Sequence, residues 1–219
     1  MNILRSSVYL AMAFILCGCN PLMKASFDTL KASTAGPDSL ELTQAQVDAV
    51  PYPQIKVTTS SSEGVMAMLR QRGDLQFWVA SGKQVLLMRD GLIVRSVGLG
   101  SNLDGTRWEG ESPFKRGLHL LPDGYSSTRR IDIYDGYRVG IALNSRFTQV
   151  GIEDIKIMDK TYALLRIDER IDAPEIDFQA VNHYWIRPRD GLILQSQQHI
   201  TPQISLKVIQ LRSKQGAIN

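Results

Sequence analysis

The sequence predicts an all-β fold: a large antiparallel meander sheet curled into a half-barrel or sandwich, with a short N-terminal helix before it. Three observations carry this. Apolar residues recur mostly with a period of two: Ile131 and Ile133 flank Asp132, while Val139, Ile141 and Leu143 alternate with Gly140 and Ala142. That is the pattern of strands whose successive side chains point to opposite faces. Asp-Gly is the recurrent punctuation, at Asp90-Gly91, Asp104-Gly105, Asp123-Gly124, Asp135-Gly136 and Asp190-Gly191. It suits tight hairpins, because both central residues of a type I′ turn need positive φ. The length of 219 residues suffices for one β-rich domain, since a domain near 150 residues buries roughly 70% of its unfolded surface. The pattern yields about ten to twelve strands, enough for a sheet to curl upon itself.

Taken from the start, Met1 to Arg5 is a short positive segment and Val8 to Leu16 an unbroken apolar run. The run has the length of a signal-peptide core and is too short to span a bilayer. Leu16-Cys17-Gly18-Cys19 is similar to a bacterial lipobox, in which a small residue precedes the cysteine that receives diacylglycerol. Residues 1–18 are therefore expected to be a signal peptide and Cys19 the lipidated first residue of the mature chain. Several acyl chains, at roughly 0.8 kcal/mol per buried methylene, would hold such a chain on a membrane. Cys17 and Cys19 are the two cysteines, so the mature chain would have no disulfide, cysteine nucleophile or cysteine metal site. Removing residues 1–18, whose one charged side chain is Arg5, takes the formal charge from +3 to +2. Nothing in that balance points to nucleic acid.

Residues 19–50 read as a lipidated tether ending in a short helix, loosest at Ser33 to Asp38. Thr43-Gln44-Ala45-Gln46 fits a capping box, and Pro51 and Pro53 stop the helix it starts. Residues 51–212 form the β domain and 213–219 a C-terminal tail. Arg89-Asp90-Gly91-Leu92-Ile93-Val94-Arg95-Ser96 is echoed by Arg189-Asp190-Gly191-Leu192-Ile193-Leu194-Gln195-Ser196. Each copy reads as strand, tight turn and strand, and this is recurrent hairpin chemistry rather than a duplicated domain. Trp78 and Trp185 fall inside strand patterns and are expected in the core.

Several segments together resemble the group 4 capsule polysaccharide lipoprotein family, the GfcB/YjbF family. They are the lipobox, Phe27-Asp28-Thr29-Leu30, Val50-Pro51-Tyr52, Gly98-Leu99-Gly100-Ser101-Asn102-Leu103, and the block from His183 through Trp185 and Arg189 to Ile193, continuing to Ser196-Gln197-Gln198. The resemblance implies a periplasm-facing outer-membrane lipoprotein linked to production or export of capsule or exopolysaccharide. It implies the same curled antiparallel sheet and brings no catalytic residues.

The residues themselves offer little enzymatic chemistry. His119, His183 and His199 lack the spacing of a local metal site, and Ser126 and Ser127 lack a nucleophile elbow. Neither metal nor cofactor is expected. The carboxylates Glu109 with Glu111, and Asp168, Glu169 and Asp172, are the candidates for a glycosidase-type pair, though solvated loop charge accounts for them more simply. The segment Gly100 to Gly117 is expected to be a long irregular excursion bearing the interaction site. Within it Trp108 and Phe114 could pack on sugar faces, and Arg107, Lys115 and Arg116 could hold hydroxyls or carboxylates. The function expected is a non-enzymatic accessory that binds other polysaccharide-secretion proteins or the glycan itself and meets the membrane through its lipid. Its rivals are a polysaccharide-modifying enzyme using a carboxylate pair and a periplasmic carrier of a hydrophobic ligand, since a partly closed sheet can enclose an apolar cavity.

Overall fold

The alternating runs of the sequence become thirteen strands among the residues that the computed structural model describes, 40–213 with Gly216 and Ala217. They are β1 (Gln54–Thr58), β2 (Glu63–Arg72), β3 (Leu75–Val79), β4 (Val85–Arg89), β5 (Leu92–Val97), β6 (Leu103–Trp108), β7 (Ser126–Ile133), β8 (Arg138–Ile157), β9 (Lys160–Ala173), β10 (Phe178–Ile186), β11 (Ile193–His199), β12 (Ser205–Ser213) and β13 (Gly216–Ala217). Helix α1 (Gln44–Asp48) precedes them with the expected reciprocal capping box between Thr43 and Gln46. Its Val47 is buried, and the Val47 carbonyl accepts from Gln54 Nε2 at 2.8 Å, so packed structure begins before Pro51. Gly216 and Ala217, read as part of a tail, turn back and pair with β12.

All pairings are antiparallel, and the order is β5-β4-β3-β2-β1-β12-β11-β10-β9-β8-β7-β6. Two meanders are thus joined where β1 meets β12, and the two edges, β5 and β6, are consecutive in the chain. The sheet curls until it is nearly closed. At the seam Leu103 N–H donates to Ser96 Oγ at 3.0 Å. Beside it the buried Gln198 of β11 acts as a surrogate strand for the β5 edge: its Oε1 accepts from Ile93 N–H at 3.0 Å and its Nε2 donates to the Gly91 carbonyl at 2.8 Å. Unpaired edge groups are thereby satisfied inside the protein rather than left as a template for another chain.

Because β5 lies within the curl, both its faces are covered. Ile93 joins one core cluster with Trp78, Ile55, Leu86, Ile171 and Leu206. Leu92 and Val94 join a second with Phe114, Phe147, Ile167 and Tyr184. Trp185, expected in the core, instead faces outward. The interior position is taken by its neighbour Tyr184, and Trp185 packs on the outer side with Leu164, Leu194 and Ile209 while its indole N–H donates to Glu153.

The core also encloses an ion pair. Glu169 of β9 is fully buried and bonds Arg129 of β7, itself only 5% exposed. The remaining carboxylate capacity is taken by the Ser145 hydroxyl at 2.6 Å, the Asn182 amide at 2.9 Å and the Tyr184 hydroxyl at 2.9 Å. Asn182 in turn accepts from the His199 backbone N–H at 2.7 Å. Burial would push the Glu169 carboxyl up, but the Arg129 charge and the bonds from Arg129, Ser145 and Asn182 outweigh it and hold the pKa below the ordinary glutamate value. Five adjacent strands, β7 to β11, meet at this one group.

The Asp-Gly reading holds where it predicts turns. Asp90 and Gly91 both have positive φ between β4 and β5, and Gly191 has φ 72° between β10 and β11. Asp104-Gly105 is the exception, since it lies within β6 at a register shift. There Gly105 leaves room for the Asp132 carboxylate, 3.1 Å from where a Cβ would sit, so the pair marks a bulge and not a hairpin.

Two outcomes follow. Glu169→Gln should lower unfolding free energy by roughly 3 kcal/mol or more, because it strands the buried Arg129 charge. The folded-state pKa being depressed, that contribution is complete above the unfolded glutamate range and is lost as pH falls through the folded pKa. Denaturant melts should therefore show the gap between wild type and variant closing in acid. Separately, Gly191→Val should destabilise by more than about 1 kcal/mol, since a Cβ there collides with the His119 imidazole as well as straining φ. Gly91→Val meets Ile193 at 2.6 Å and should behave alike in thermal melts.

Candidate functional site

The concave side of the sheet retains an open cavity of about 1030 Å³. Its floor includes Met68, Trp78, Met88 and Val208, all buried core residues. Its rim is made by three chain segments that the fold brings together: the turn at Asp90-Gly91, the turn at Asp190-Gly191, and the segment from Phe114 to Leu120. The two turns are the two copies of the internal echo, and Gly91 packs directly on Ile193 of the other copy.

The third segment is held by local chemistry. Ser112 caps the single helical turn α2 (Pro113–Arg116), its hydroxyl accepting from Phe114 N–H at 3.2 Å, and Gly117, at φ 95°, ends it. Phe114 anchors the turn in the core, edge-on to Tyr184 at 5.2 Å and to Phe147 at 6.1 Å between ring centroids. With Phe114 directed inward, Lys115 and Arg116 are exposed at the cavity rim. A 3-10 turn over Leu118–Leu120 follows, its His119 ring packed against Gly117 and Gly191.

The five residues singled out from the sequence are therefore divided by the structure. Phe114, Lys115 and Arg116 line the cavity. Arg107 lies away from it, in a two-point ion pair with Asp132 whose second bond is 3.0 Å. Trp108 is half-buried, with the Arg129 guanidinium 5.9 Å from its ring centroid and Phe114 at 6.2 Å, and among the described residues its indole N–H has no hydrogen-bond partner. The expected irregular excursion from Gly100 to Gly117 is corrected in the same way, because Leu103–Trp108 is an edge strand, bulged at Gly105, and the rest of the segment is loop and turn.

The carboxylates are likewise redistributed. Glu109 and Glu111 are loop residues, 84% and 54% exposed, facing Arg130 at 3.6 Å and Arg116 at 3.9 Å. Asp168 and Glu169, adjacent on β9, point to opposite faces. Asp168 bonds Arg166 and His183 on the outside at 2.8 and 2.7 Å, whereas Glu169 is sealed in the core and was misread as loop charge. The acids that do reach the cavity are Asp74, which no sequence signal singled out, and Asp90 and Asp190, which the sequence showed only as turn residues. Burial, and then the neighbouring Asp74 charge, push the Asp90 carboxyl above its ordinary value, although Lys115 and Arg89 pull the other way. Asp190 is held below the usual aspartate value, chiefly by the hydrogen bond from Arg187. Among the described residues no three His, Cys, Asp or Glu side chains gather as a metal site would require, and no helix is long and apolar enough to cross a membrane. Cys19 and the segment before it lie outside the described residues.

The comparisons with known proteins agree over most of the chain. The family model described as group 4 capsule polysaccharide lipoprotein GfcB, YjbF matches residues 27–211. The lipoprotein GfcB of Escherichia coli strain K12 is 23% identical over 199 residues, 89% of this chain and 92% of that protein. The crystal structure of the lipoprotein YmcC from Escherichia coli K12 superposes with a TM-score of 0.72 at 20% identity, covering 80% of this chain and 90% of that one. At such identity that structure speaks for the fold alone: the nearly closed antiparallel sheet is shared. With the match spanning all of the strands from β1 to β11 and most of β12, the chain belongs to the group 4 capsule polysaccharide lipoprotein family.

Proposed function

We propose that this protein is a lipid-anchored, periplasm-facing outer-membrane accessory of capsule or exopolysaccharide production or export. In this role it performs no catalysis of its own, is tethered through Cys19, and uses its cavity to hold the passing glycan or a partner from the secretion machinery. The family description supports the process. The observation that carries the binding role is the cavity itself, in which an indole and apolar floor meets a rim with Lys115 and Arg116 exposed. A sugar ring offers an apolar face and a girdle of hydroxyl or carboxylate groups, and that surface matches such a lining. Most ligand sites are concave and apolar with a few placed polar groups.

A second function has one specific observation in its favour. Asp90, its carboxyl raised by burial and by the neighbouring Asp74 charge, shares the cavity with that second acid, and glycoside cleavage commonly uses two acids whose environments differ. Incubating the full chain with the polysaccharide of the producing cell separates the two. The accessory role predicts no chain shortening; turnover that Asp90→Asn abolishes would overturn it in favour of an enzyme.

The binding role makes its own prediction. Replacing Lys115 and Arg116 together by Glu should weaken retention of an acidic exopolysaccharide by the full chain in detergent micelles by about tenfold or more, each lost charge-assisted bond being worth on the order of 1.5 kcal/mol. The melting temperature should stay at the wild-type value, because both side chains are exposed. Undiminished retention would remove the glycan from the rim.

A further inference from the structure

We infer that the face of the sheet turned away from the core carries an oxyanion-binding groove between Arg146 and Arg170. The two arginines are directly opposite one another on β8 and β9, with Ser126 of β7 opposite Arg146 on the other side. Like charges placed opposite each other destabilise a sheet unless something neutralises them. The nearby arginines Arg166, Arg107 and Arg130 have that partner within the protein: Arg166 is clasped by Glu153 and Asp168, Arg107 by Asp132, and Arg130 faces Glu109. Arg146 and Arg170 are exposed, and among the described residues neither forms an ion pair.

The surroundings are built for an anion. The pair borders a groove of about 330 Å³ that also includes Ser126, Thr128, Asn144 and Asp172. Thr128 donates its hydroxyl proton to Asn144 Oδ1 at 2.9 Å, which leaves the Asn144 amide nitrogen as a further donor. The one carboxylate at its border, Asp172, already accepts from Gln179 Nε2 at 2.9 Å. Arg146 is placed rather than loose, because its guanidinium lies over Gly124, with Nη2 3.2 Å from where a Cβ would be, and Gly124 holds φ 74°. A positioned planar guanidinium beside a second one matches the paired oxygens of a carboxylate or phosphate. The groove is separate from the cavity. It rests on the proposed function only for the idea that the anion is carried on a sugar chain.

Titration of the full chain in detergent micelles with an oligoglucuronate, its carboxyl-reduced neutral form and inorganic phosphate tests this. Wild type should bind the oligoglucuronate at least tenfold more tightly than the neutral form, and Arg146→Gln with Arg170→Gln, melting as wild type does, should erase that difference. Phosphate bound by wild type and not by this variant, with both sugars alike, would assign the groove to a phosphate-bearing ligand. Equal affinity of wild type and variant for both anions would overturn the groove. Loss caused only by Lys115→Glu with Arg116→Glu would also overturn it while leaving the cavity role standing.

Discussion

The enclosed Arg129–Glu169 pair is the constraint on which the arrangement of this sheet depends. A carboxylate removed from water is tolerable only when a countercharge and every remaining lone pair are supplied, and here the suppliers come from β7, β8 and β10, with β11 tied in through Asn182. Side chains alternate along a strand, so sliding any of these strands by one residue would carry its member of the cluster to the outer face. The cluster thus specifies register across five strands at once. It decides that Tyr184 and Phe147 point inward and that Asp168, Arg166 and Arg170 point out.

From that register the two polar surfaces follow. On the concave side Phe114 finds its place between Tyr184 and Phe147, and this seating puts Lys115 and Arg116 at the rim. The tucked edge strand β5 supplies the opposite part of the rim, held there by Gln198 in place of a neighbouring strand. Stopping the closure at a side-chain bridge between Ser96 and Leu103 leaves the sheet's concave side open between the two Asp-Gly turns. On the outer side the same alternation places Arg166 between Glu153 and Asp168 and sets Arg146 directly opposite Arg170.

Much of the fold was legible because it rests on short-range rules. Period-two alternation located the strands, the capping box located α1, and Asp-Gly located the turns at Gly91 and Gly191. Where local signals are ambiguous, the reading failed. Asp104-Gly105 has the composition of a turn but occupies a bulge, a distinction made only by Asp132 on the neighbouring strand. In Tyr184-Trp185 either ring could have faced inward, and the choice was made by Glu169 on the neighbouring strand, to which the Tyr184 hydroxyl donates. Glu169 itself looks like surface charge beside Asp168 and Arg170, since burial of a charge depends on partners 13 to 40 residues distant. The candidate site was half legible: Phe114, Lys115 and Arg116 reach the cavity, while Arg107 and Trp108 are absorbed by Asp132 and Arg129. The internal echo, read as fold chemistry, turned out to frame the rim.

The central claim is that the cavity of this family member receives a ligand from the polysaccharide pathway. Amide hydrogen exchange of the full chain, followed with and without the exopolysaccharide of the producing cell, tests it most directly because every backbone segment reports at once. The account predicts added protection concentrated at residues 113–120 and at the turns around Gly91 and Gly191. Protection absent from those three segments, at saturating polysaccharide, would contradict it.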